Sequence, residues 1–306
     1  MTFDRRIIDV RFHLGKGSFG EDGADTVDLK GLRCAATITK SGGVSMSELN
    51  LRIFGAPLSV MNALTILGKP ITHGRNNSVI ISAGDERTGV AVVFAGLISE
   101  AWVDPRGSPQ VSFVVTAHTG YLDALKPVPA TSYNGAVSAA TIVAGIAAQM
   151  TTPGVDPNSD GKAVVGLAFE NGGVDVQLRD VYLAGTLLDQ LQSVARAGNF
   201  NAIIDNGTVA IWPADGTRGG EIPLISPGTG MVGYPVYTQN GISVTTLFNP
   251  AIIFGGKVKV ETELTPAAGL WSPYAVSHEL SSETPGGPWF TRLECNLFGQ
   301  SQALVT

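Results

Sequence analysis

Apolar and polar residues alternate along most of this chain, and short runs of glycine, proline and asparagine interrupt the alternation. A period of two with such punctuation commits a chain to β-strands and tight turns. The pattern is densest from Leu224 to Cys295. There Ile225-Ser226-Pro227-Gly228 opens the stretch, Asn249-Pro250 and Gly255-Gly256 break it, and Trp289 to Cys295 closes it. Glycine makes up 38 of the 306 residues, well above the roughly 7% of an average protein. Within that stretch no residue pattern points to catalysis.

Upstream, Ile7 to Phe12, Cys34 to Thr39 and Ser47 to Phe54 read as strands, as do Ser78 to Ala83, Gly89 to Val103 and Gln110 to His118. A short helix is expected after Pro57, with Val60, Met61, Leu64 and Leu67 on one face, Gly68 as its stop and Pro70 beyond. The style changes at Lys126-Pro127-Val128-Pro129-Ala130, a stiff connector with few backbone donors. A helix from Ser138 to Met150 follows, then a strand from Ala163 to Phe169. Thr186 with Asp189 three residues on marks the start of a second helix, buried through Leu187, Leu188, Leu191, Val194 and Ala195 and ended by Gly198. Asn206-Gly207 between two alternating runs is a hairpin turn. Asn240-Gly241 reads the same way, Lys257 to Leu264 as an alternating strand, and Trp271 to Ser282 with Trp289 to Phe298 as a hairpin closed over Glu283 to Gly287. The expected fold is mainly β with an α+β middle module. The divisions fall at residues 1–125, 126–225 and 226–306.

Charge narrows the function classes. Lys and Arg number 20 against 26 Asp and Glu, a net charge of −6 without a basic block, so a direct grip on nucleic acid has no footprint. Charged residues are only 15% of the chain, against roughly 25% in typical soluble domains. Either the core is large under an ordinary surface, or much of the surface is covered by other subunits, the reading we favour. Mean hydropathy is +0.20, yet the longest apolar runs, Val90 to Ile98 and Ala139 to Ala148, fall far short of a bilayer span. No span is expected. The two cysteines, Cys34 and Cys295, read as packed thiols. The start Met1 to Arg6 lacks the apolar region of a signal peptide, so a cytoplasmic site of synthesis is expected.

Several motifs imitate ligand sites. Gly15 to Gly20 matches GxGxxG, but Glu21-Asp22-Gly23 follows where a dinucleotide site needs a helix, leaving a turn between strands. Asp156 to Gly161 resembles the opening of a calcium loop, but Leu167 stands at the twelfth position, where a glutamate ligand belongs. His13, His73, His118 and His278 show no metal spacing, and neither Gly17-Ser18 nor Val44-Ser45 forms a nucleophile elbow. Glu170 and Asp175, the candidate carboxylates of a glycosidase pair, read as surface residues. We assign no catalytic, cofactor-binding or metal-binding residue.

The order of the pieces carries a family resemblance. Thr26 to Cys34 and Ser47 to Gly55 resemble a first tube-like domain. Leu187 to Leu191, Ile203 to Gly207 and Ile211-Trp212-Pro213 resemble a middle module, and Leu224 to Pro227, Asn249-Pro250, Gly255-Gly256 and Trp289 to Cys295 a closing tube-like domain. Together they resemble the baseplate hub of contractile-tailed bacteriophages, related to the hub half of type VI secretion spike proteins. The resemblance implies a homotrimer whose six tube-like β-barrel or sandwich domains form a pseudo-sixfold ring. It also implies contacts with the tail tube or tube-initiator proteins, the central spike, the tape measure protein and the baseplate wedges. Genomic DNA would pass through only in transit, helped by the net acidic charge. The implied location is the virion baseplate, after assembly in the host cytoplasm. The alternatives are a tail-associated cell-wall hydrolase and a receptor-binding adhesin.

Overall fold

A computed structural model describes residues 4–19, 23–41, 46–65, 76–151 and 166–297. The chain is mainly β. Its elements begin with β1 (Arg6–His13), β2 (Thr26–Leu29), β3 (Arg33–Lys40), β4 (Glu48–Phe54) and α1 (Leu58–Leu64). Next come β5 (Ser78–Asp85), β6 (Gly89–Asp104), β7 (Ser112–His118) and α2 (Tyr121–Leu125). The middle holds β8 (Thr131–Ser138), α3 (Ala139–Ala147), β9 (Ala168–Asn171), β10 (Gln177–Leu183), α4 (Leu187–Gly198), β11 (Phe200–Asp205) and β12 (Thr208–Pro213). The last part comprises β13 (Leu224–Ile225), β14 (Val236–Thr238), β15 (Gly241–Leu247), β16 (Val258–Val260), β17 (Gly269–Ser282) and β18 (Trp289–Leu297).

One sheet dominates. Its strands run in the order β14-β15-β18-β17-β3-β4-β7-β6-β5-β1-β2, with β16 and β13 branching from β17. The seam is the antiparallel pair β17–β3, from Val276↔Lys40 to Ser282↔Cys34, which carries the sheet from the C-terminal strands into the N-terminal ones. Alternation sets the faces. In β3, Cys34, Ala36, Ile38 and Lys40 point inward while Thr37 and Thr39 are exposed.

Three buried clusters lie against this frame. The first packs Phe12, Phe94, Phe113 and the inward residues of β1 and β3–β7, and takes in Leu280 and Trp289 from the last two strands. The second surrounds α3 and α4, and the third gathers Ile242, Phe254, Val258, Val276 and Leu293. The β11–β12 hairpin separates the second from the third. Ala202, Ile204, Val209 and Ile211 face the helices, whereas Ile203, Ala210 and Trp212 face the C-terminal cluster. Strands buried on both faces read as unbroken apolar runs, and Ala202-Ile203-Ile204 is one.

The turn at Asn206-Gly207 is as expected, with both residues at positive φ (47° and 79°). The capping box of Thr186 and Asp189 is present. Five expectations need correction. The second hairpin turns at Gln239-Asn240, one residue early, because Thr238 pairs with Gly241. The helix α4 is closed by Asn199 in the left-handed conformation, while Gly198 is its last residue, needed because a Cβ there would strike the Phe200 ring. Burial alternates through Leu264 but the strand ends at Val260, since Pro266 sits in a one-turn helix just beyond and offers no N–H. The helix predicted to reach Met150 ends at Ala147. The strand predicted from Ala163 begins at Ala168, and residues 163–165 lie outside the described ones. The two-stranded sheet β8–β10 and the short α2 carry no signal that periodicity could detect. Leu67, Gly68, Pro70, His73, Val44-Ser45 and Asp156 to Gly161 also lie outside the described residues.

Candidate assembly site

The outer face of the long sheet forms a polar wall. One cross-strand row runs Thr245–Arg292–Ser277–Thr39–Glu48–His118 over six strands. Directly opposed residues share a face, so this row looks away from the cores from Thr245 to Glu48, and at its end His118 is half-buried against Tyr121. A neighbouring row adds Glu279, Thr37, Asn50, Thr116 and Glu100. Hydroxyls and amides predominate, and the few charges are of both signs.

The two ends of the sheet differ. At one, β2 is tied to β1 by Arg11, whose Nε and Nη2 donate to the Asp28 carboxylate at 2.6 and 3.0 Å. At the other, β14 carries no charge, and Val232, Tyr234, Val236 and Tyr237 are all exposed, the last three by more than half. An uncharged exposed edge invites another strand or subunit.

Beneath the seam lies a chain of buried charges. Lys40 is the last inward residue of β3, and its Nζ donates to Asp205 Oδ1 at 2.6 Å. Arg218 Nη1 donates to Asp205 Oδ2 at 3.1 Å, and its Nε and Nη2 clasp Glu170 at 3.3 and 2.9 Å. The Arg218 backbone N–H donates to the Gly255 carbonyl at 2.7 Å. Lys40, Asp205 and Arg218 are only 4%, 5% and 7% exposed, so their charges must satisfy one another. Burial by itself would raise the Asp205 pKa; Lys40 and Arg218 outweigh it and hold the carboxyl below its ordinary value. His278 lies near this chain on β17. Burial, with Lys40 adding to it and Asp205 opposing, pushes its pKa down to about 3, so the ring is neutral and its Nδ1 meets Thr291 Oγ1 at 3.0 Å.

The other candidate residues scatter. Described residues of the Gly15 to Gly20 motif form a turn between β1 and β2, with Phe19 bridged to Ala24. His13 approaches Asp25 at 3.5 Å, and His118 stacks on Tyr121. Cys34 and Cys295 are free and buried, and burial lifts the Cys34 thiol to about 12. Glu170 is not an idle surface carboxylate but the outer clasp of Arg218. Asp175 lines a shallow cleft with Asn199, Phe200 and Asp215. Among the described residues no group of His, Cys, Asp and Glu could hold a metal ion, and no helix is long and apolar enough to cross a membrane. Lys40 carries a sequence signal, a charged residue at an inward position of the alternating strand β3, and Asp205 carries another, a charge at the end of the apolar run Ala202-Ile203-Ile204. Arg218, in irregular chain, had none.

The family model described as "Baseplate hub gp41" matches residues 7–295. The chain belongs to that family. It is a bacteriophage tail structural protein of the baseplate hub type. No curated protein matches its sequence. Among solved structures, the hub is similar to a tail protein of Neisseria meningitidis MC58, with TM-score 0.62, 9% identity and coverage of 96% of this chain and 97% of that one. The 43 kDa tail protein of prophage MuSo2 from Shewanella oneidensis gives TM-score 0.57 at 11% identity, covering 95% and 96%. The E. coli c3393 protein, a type VI secretion component described as similar to T4 tail proteins gp27 and gp5, gives 0.57 at 11% identity, covering 90% and 77%. At such identities the likeness is one of fold.

Proposed function

We propose that this hub is a homotrimer that joins the sixfold tube of a contractile tail to the threefold central spike, and that it has no catalytic activity. Residues 1–125 and 226–306 act as the two tube-like domains of each chain, and residues 126–225 as the module between them. The observation that carries this reading is the polar wall, which crosses both β-regions without a break at the β17–β3 seam. Three such walls would enclose a channel. Small hydroxyls and charges of both signs give DNA phosphates nothing to hold, and the net charge of −6 disfavours adhesion. The uncharged β14 edge supplies the contact with the next chain. The tube, spike, tape measure and wedge proteins are the partners such a ring would meet.

Native mass and electron microscopy of the full chain, alone and with its spike protein, test the proposal. Three times 31.8 kDa, about 95 kDa, and a ring of pseudo-sixfold outline are expected. A monomer that persists at micromolar concentration with the spike present would overturn it. Release of peptidoglycan fragments, abolished by one carboxylate substitution, would favour the hydrolase instead.

A further inference from the structure

The charge chain joins segments that are distant in sequence and belong to different clusters. Lys40 comes from the N-terminal strands, Asp205 and Glu170 from the middle hairpin and its neighbour β9, and Arg218 from the chain that leads into the C-terminal region. Arg218 also reaches the 254–255 turn, through its backbone N–H to Gly255 and its Nη1 to the Phe254 carbonyl at 3.5 Å. Asp205 occupies the centre, with each carboxylate oxygen bound to a different cation.

Apolar packing accepts repacked arrangements of similar volume, whereas a buried ion chain needs each charge at hydrogen-bond distance from its partner. Two cations and two carboxylates balance here, yet moving Lys40, Asp205 or Arg218 away from its partners strands a charge away from water, while Glu170 caps the solvent-facing end. Apolar contact alone fixes the β11–β12 hairpin against both of its neighbours only by shape, and the charge chain adds direction.

We propose that Lys40–Asp205–Arg218–Glu170 is an orientation pin: it sets the angle of the middle module against the sheet that the N-terminal and C-terminal strands share, a role distinct from adding stability. The pin acts within one chain, so the proposal holds whether or not the hub closes a ring.

Two variants of the full-length protein separate orientation from stability. Asp205→Asn keeps the shape and removes the central charge. The double variant Lys40→Met with Asp205→Leu replaces the pair by apolar groups, an exchange that commonly leaves stability unchanged or raised. In Asp205→Asn, amide hydrogen exchange of β11, β12, Arg218 and Gly255 should accelerate by at least roughly tenfold while β4 and β7 stay protected. In the double variant the melting temperature should stay near that of the parent, while the distance distribution between spin labels at exposed positions 50 and 182 broadens. A distribution as narrow as the parent's in the double variant would overturn the proposal, even if Asp205→Asn fails to fold. Equal acceleration across β4, β7, β11 and β12 would overturn it too.

Discussion

The N-terminal and C-terminal β-regions share one sheet but differ in self-sufficiency. The N-terminal cluster is built almost wholly from its own strands and α1, with Leu280, Trp289 and the half-buried Phe248 as its contributions from elsewhere. The C-terminal cluster is closed by a borrowed wall, the Ile203, Ala210 and Trp212 face of the middle hairpin. Their outer edges differ in the same sense: Arg11 and Asp28 put charges on the β2 end, whereas β14 presents Val236 and Tyr237 bare. A region that fills its own core and charges its own edge can face water. One that takes part of its core wall from the middle hairpin and leaves its edge uncharged is where the proposed contact with the next chain falls.

The sharpest test of this contrast is Trp212, which is fully buried and meets Phe254 edge-on at 6.0 Å. Trp212→Ala should cost about 3–5 kcal/mol in chemical denaturation and loosen the middle and C-terminal regions together. A loss confined to the middle module would break the comparison. Gly255 makes the same point from the other side. Its φ is +72° and a Cβ would run into the Trp212 ring, so Gly255→Val should cost about 2–4 kcal/mol, and loss of assembly should follow from misfolding. Circular dichroism melts would register it; an unchanged melt would show that the hairpin and the 254–255 turn are not closely packed.

The seam is probed by acid. His278 is neutral in the fold with a pKa near 3, while an unfolded histidine takes up its proton near pH 6.5. Its contribution is therefore whole above about pH 6.5 and fades as pH falls toward 3, by up to about 1.4 kcal/mol for each pH unit. Asp205, held below its ordinary pKa, adds a further loss below about pH 4. His278→Asn should flatten the decline between pH 6 and 4 in denaturant midpoints, and an equally steep decline would remove His278 as its cause. The smallest effect on stability is expected at the edges. Tyr237→Asp should change folding by no more than about 0.5 kcal/mol yet reduce the native mass to one chain. Asp28→Ala, costing about 0–1 kcal/mol, should leave the mass unaltered. Equal effects of the two on assembly would erase the distinction between the ends.

Much of the fold was legible because its signals are local. Alternation located β1, β3 to β7, β15, β17 and β18; the turn at Asn206-Gly207 and the Thr186 cap depend on residues within a few positions of one another. The β8–β10 pair shows no readable period in sequence because Asn134-Gly135 and the bulge at Asp180 (φ 50°) interrupt it. Past Glu261, whose N–H still donates to Ile225 of β13, the chain keeps its alternation to Leu264 outside any strand, so periodicity alone overstates the strand.

By itself the sequence determined a β-rich chain with an α+β centre, low charge and an order of motifs that resembles a hub. Tertiary structure alone decided the rest. That β17 pairs with β3 and that Lys40 meets Asp205 are facts about residues more than 100 positions apart, and the middle hairpin becomes a wall for the C-terminal core only through segments that lie outside it in sequence. A charge at an inward position is visible in one strand, but the charge that answers it arrives from another part of the chain, and only folding brings the two within reach.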